Sequence, residues 1–115
     1  MLYLEFMPLD KPTQLSKVGN WVITFLSSTD DAVHMLAITN VIPRQVNQEI
    51  QIRRLIIQET QIEHQWEVLK AEAFNGQLNK ELTLNLQDNS TQNLIFNILK
   101  EFDKYDVSIH LISSF

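Results

Sequence analysis

The chain has no cysteine, two glycines and three prolines among its 115 residues. Without thiols it can hold no disulfide, thiolate zinc site, iron–sulfur cluster or thiol nucleophile. Gly19 and Gly76 are too few and too far apart to write a phosphate-cradling P-loop or a dinucleotide fingerprint. Positive charge is also scarce: nine Lys and Arg against fourteen Asp and Glu give a net charge of −5. A negative chain repels phosphate backbones unless its cations gather on one face. The adjacent pair Arg53-Arg54, with Arg44 nearby, is diluted by Glu49, Glu59, Glu63 and Glu67, which argues against nucleic acid as a partner.

Long hydrophobic runs are missing as well. Stretches such as Leu55–Ile57 and Trp21–Ile23 fall far short of the roughly 20 residues that cross a bilayer. Residues Met1 to Pro8 carry no basic residue, and Glu5 interrupts their apolar character, unlike a secretory leader. The expectation is a cytoplasmic chain with no membrane partner. Absent cysteine agrees with a reducing compartment.

What is present is 44% hydrophobic residues, enough for one buried core and a single domain over residues 1–115. The clearest segment is the last third. Leu82, Leu84 and Leu86 alternate with Thr83, Asn85 and Gln87, the two-residue period of a half-buried strand over residues 80–87. Asp88-Asn89-Ser90 then offers a turn and a helix N-cap, with Ser90 best explained as the cap. Leu94, Ile95, Ile98, Leu99 and Phe102 fall on one stripe of a helix over residues 90–104. Val107, Ile109 and Leu111 alternate again in a strand over residues 106–112. If those two strands lie parallel in one sheet, their crossover is right-handed.

Residues 44–74 admit two readings. Their Gln, Glu, Arg, Leu and Ala content favours a long helix, which Pro43 can start and Asn75-Gly76 can end. Such a helix would run about 46 Å, longer than the ~34 Å diameter of a compact domain of this length. Residues 59–68 also alternate without a break: Thr60, Ile62, His64, Trp66 and Val68 against Glu59, Gln61, Glu63, Gln65 and Glu67. Asn75-Gly76 is, in addition, a hairpin signal. A bulged turn at Gly76 sets Trp66 opposite Leu84 and Val68 opposite Leu82. Strands are therefore the preferred reading, with a further turn near residues 58–61. Upstream, Leu2–Phe6 and Trp21–Leu26 read as strands and residues 8–12 as a loop, while residues 29–39 are left open between helix and strand. The fold class expected is α+β, a mainly antiparallel sheet covered by the helix of the C-terminal strand–helix–strand unit.

Catalytic constellations are sparse. His34, His64 and His110 share no i, i+3 or i+4 spacing, so no metal site is expected. The serines lack the strained elbow motif of a hydrolase nucleophile. Asp30-Asp31 and Asp103/Asp106 read as solvated turns or caps, and Glu59, Glu63 and Glu67 as a solvated face or a docking surface for a basic partner. No catalytic residue and no cofactor is assigned.

Two sets of residues stand out. Under the strand reading, Arg54 and His64 share a face with Ile52, Ile56, Ile62 and Trp66. A cation among apolar groups must be paired or reach solvent. Arg54, His64 and Trp66 are therefore the candidates for holding a small anionic ligand or effector. Phe96 lies off the apolar stripe of its helix, and Val107, Ile109 and Leu111 form a strand free to pair with another chain if it ends the sheet. These four are the interaction candidates. The preferred function is a non-catalytic, self-associating protein-interaction, adaptor or assembly domain. The alternative is the ligand-binding domain.

Overall fold

β-branched and aromatic runs build eight strands and a helix in a computed structural model, which describes residues 2–6, 16–26, 34–41, 50–105 and 109–113. The strands are β1 (Leu2–Phe6), β2 (Ser16–Val18), β3 (Trp21–Leu26), β4 (Met35–Asn40), β5 (Gln51–Glu59), β6 (Gln65–Asn75), β7 (Lys80–Thr83) and β8 (Ile109–Ser113). Helix α1 (Asn89–Phe102) runs into a 3₁₀ turn, Asp103–Tyr105. The sheet order is β2-β3-β4-β5-β6-β1-β8, with every neighbouring pair antiparallel. The N-terminal part of β6 pairs with β1 at residues 65–67, and its C-terminal part pairs with β7 at residues 72–75. The result is an antiparallel sheet curled into a half-barrel with one C-terminal helix, an α+β architecture.

One face of the sheet forms the core. Leu4, Leu36, Ile38, Leu55 and Ile57 are fully buried there and join Trp21, Trp66 and Val68 in a single cluster. Helix α1 lays its stripe Ile95, Leu99 and Phe102 into the same cluster. That stripe follows from apolar residues three to four positions apart. Phe102 meets the indole of Trp21 with ring centroids 6.1 Å apart, and Glu101 accepts a bond from Trp21 Nε1–H at 3.4 Å. The helix thus ties the β8 end of the sheet to β3, near the other end.

Residues 51–59 and 65–75 are strands rather than a long helix, while residues 42–49 lie outside the described residues. The turn between them is at residues 60–64, slightly later than expected. Residues 35–40 are a strand, and residues 27–33 lie outside the described set. So do the 8–12 loop, Asp106 and Val107.

Three expectations need correction. The hairpin after Asn75 is a four-residue turn, Gly76 to Asn79, and it pairs Ala73 with Leu82 and Asn75 with Lys80. The left-handed residue is Asn79, at φ 52°, and Asn75 Oδ1 accepts the amides of Gln77 and Leu78. Trp66 therefore faces Leu4 of β1, not Leu84. Second, the strand expected over residues 80–87 ends at Thr83 and the helix starts at Asn89. Asp88 occupies the cap position in extended conformation without a side-chain cap bond, and Ser90 lies inside the helix. Third, β7 and β1 both run antiparallel to β6, and β8 runs antiparallel to β1. β7 and β8 therefore point in opposite directions, and no parallel crossover arises.

Gly19 turns β2 into β3 with φ +59°, a conformation that disfavours a Cβ, and the Tyr105 ring lies 2.8 Å from where one would sit. Gly19→Ala is expected to cost about 1–2 kcal/mol in urea unfolding, chiefly from the left-handed backbone. Tyr105 is half-exposed, and the atoms a Cβ would meet are at the far end of its side chain. Most of the cost should therefore persist in a Tyr105→Ala background.

Candidate functional site

The placement of Arg54 is decided by the bulges. Ile52 pairs with Ala73, but the next pair is Arg54 with Glu72, so Arg53 is an extra residue in β5. A second irregularity leaves Leu69 extra in β6, between the pairs Ile56–Lys70 and Ile57–Val68. Each bulge inverts the side-chain alternation of its strand. Leu55 and Ile57 consequently join Ile52 in the core, and Arg54, which pairs with Thr39 of β4, turns to the outer face.

There Arg54 Nη2–H donates to Glu72 Oε1 at 2.9 Å, and Lys70 Nζ stands 3.5 Å from the same oxygen. Trp66 is buried on the inner face, its Nε1–H donating to the carbonyl of Phe6 at 3.3 Å. His64 is exposed in the 60–64 turn at φ 65°, with Nε2 3.4 Å from Glu63 Oε1. Ile62, 65% exposed, shares that turn. The structure therefore does not bring Arg54, His64 and Trp66 together: one is outside the sheet, one in a turn and one in the core. The same turn breaks the Glu59/Glu63/Glu67 row.

The interaction candidates are distributed differently. Phe96 is 45% exposed on α1, with Lys100 Nζ 4.5 Å from its ring centroid. Ile109 is buried in the core and Leu111 packs partly against it. Both side chains serve the fold, and what β8 offers outward is its backbone edge. β8 pairs with β1 from Leu2–Ser113 to Phe6–Ile109, and among the described residues no strand pairs with its other side.

A polar pair not expected from the sequence closes the β4–β5 end of the sheet. Glu59 Oε1 accepts the backbone amide of His34 at 2.8 Å and also binds His34 Nδ1, while the Phe25 ring stands edge-on to the imidazole. A carboxylate on Nδ1 fixes the ring with Nε2 as its other nitrogen, the orientation used by histidine bases and ligands. No group of three metal-ligating side chains occurs among the described residues. The pair is separated by 25 positions and carries no local motif, so only the pairing of Met35 with Gln58 reveals it.

Two shallow surface cavities are small. One of about 210 Å³ is lined by Trp21, Glu101 and Tyr105, and one of about 200 Å³ by Arg53, Glu72 and Glu81. Both fall below the roughly 300–1,000 Å³ of typical small-molecule pockets. Among the described residues, no helix is long and apolar enough to cross a membrane.

The hydrogen bond from Arg54, aided by the charges of Arg54 and Lys70, holds the Glu72 carboxyl below its ordinary value of 4.5 against the opposing effect of burial. A lowered folded-state pKa stabilises the fold above the unfolded value, and that stability is lost as pH falls through the folded one. Because the pair is partly exposed, Glu72→Gln is expected to cost at most about 1 kcal/mol at pH 7. The stability gap to the parent should narrow as pH falls below the ordinary glutamate value of 4.5 in a pH series of urea melts. Comparisons with protein-family models, curated proteins and solved structures find no match to this chain.

Proposed function

We propose that this chain is a non-catalytic, self-associating interaction domain, and the observation carrying that reading is that no described strand pairs with the outer side of β8. An edge strand presents a row of backbone donors and acceptors ready to pair with another chain. β8 closes one end of the sheet order, and its sequence Ile-His-Leu-Ile-Ser holds no Asp, Glu, Lys or Arg. The inner face of the sheet is taken up by α1, which leaves the periphery for binding. Phe96, half-exposed on α1, supplies an apolar contact of the kind that anchors interfaces. The lack of cysteine supports a cytoplasmic setting.

The alternative, a small anionic ligand held by Arg54, His64 and Trp66, has no geometric support, since those groups lie apart and Arg54 already serves Glu72. Light scattering over about 1–200 µM protein tests the reading, a range that brackets a weak interface. The expected result is a mass that rises from monomer toward dimer with concentration. A constant monomer mass over the whole range would contradict it.

A further inference from the structure

The sheet has three strands with a side left unpaired among the described residues, and they differ in how they resist pairing. β2 has three residues and an exposed Lys17, and β7 carries exposed Lys80 and Glu81. Short length and charge are the ordinary devices that keep sheet edges from joining. β8 has neither: it is five residues long with His110 its sole titratable side chain. The chain as a whole carries a charge of −5, so two copies repel except where such an uncharged stretch lets them approach.

Resting on the reading of self-association, we infer that the partner at β8 is the β8 of a second copy, paired antiparallel about a two-fold axis at Leu111. Antiparallel pairing of a strand with itself is the arrangement a two-fold axis allows, and both copies then use the same surface. The register follows from the side-chain alternation. An axis passing through a residue sets residues of like parity opposite each other, so the core-facing positions 109 and 111 stay on one side of the joined sheet. An axis between residues would set core-facing positions against outward ones.

Among axes through a residue, Leu111 is the midpoint of β8 and pairs all five positions. Ile109 then faces the second copy's Ser113, His110 faces its Ile112, and Leu111 faces itself. Leu111 is only partly buried, and its counterpart covers the remainder. Five residues give about 17 Å of ladder, well short of a standard interface, which makes the dimer weak and concentration-dependent.

The cysteine-free chain makes the test clean. Single cysteines are introduced as His110→Cys, Leu111→Cys and Ile112→Cys, each folded by circular dichroism, and the dimer-forming concentration is subjected to mild oxidation. Leu111→Cys is expected to give a disulfide-linked dimer about tenfold faster than the other two. On-axis Cβ atoms lie about 5 Å apart, whereas the diagonal separations at 110 and 112 of about 7–8 Å exceed disulfide reach. A dimer by light scattering with no preferential cross-linking at 111 would overturn the β8 pairing and leave self-association standing. A chain monomeric at all concentrations would overturn both.

Discussion

The seat of α1 against the inner face of the sheet is the contact on which the rest of the structure depends. A curled antiparallel sheet exposes an apolar concave face unless something fills it, and here Ile95, Leu99 and Phe102 do so. Because β8 follows the helix, the same packing places the last strand beside β1 and at the end of the sheet. Trp21, Glu101 and Tyr105 then join the far end of the helix to the β2–β3 turn. Filling the interior and leaving an edge are two consequences of one arrangement. The proposed binding by strand addition draws on the second of these, the side of β8 that no described strand pairs with.

The sequence was most legible where a single period runs uninterrupted. Leu2–Phe6 and Trp21–Leu26 read as strands and are strands at those bounds, and the stripe through Ile95, Leu99 and Phe102 marks the helix. The alternation leading into Trp66 and Val68 favoured strands over a long helix, and strands flank that stretch, although its residues 60–64 form the turn between them. The exposure of Phe96 could also be read from its position off the stripe.

Legibility failed where one residue changes the phase. The extra residues Arg53 and Leu69 leave no local signature, yet each reverses the faces of everything beyond it. A strict two-residue period therefore put Arg54 on the face of Ile52 and Trp66, and the bulge sends it out to Glu72. The hairpin failed for a related reason. Asn75-Gly76 signals a turn but not its length, and the left-handed conformation falls on Asn79 instead of the glycine. The His34–Glu59 pair was illegible because it is created by strand pairing across 25 positions. Long-range register is a property of the assembled sheet, and no window of sequence contains it.

The direct measurement of the helix seat is the stability of Phe102→Ala, followed by urea unfolding with tryptophan fluorescence and far-UV circular dichroism together. Phe102 is 1% exposed and in contact with Trp21, so its removal empties the centre of the core. The expected result is a loss of about 3–5 kcal/mol in one transition seen by both probes. A loss below about 1 kcal/mol, the range of a surface substitution, would contradict the claim that α1 completes the core of this sheet.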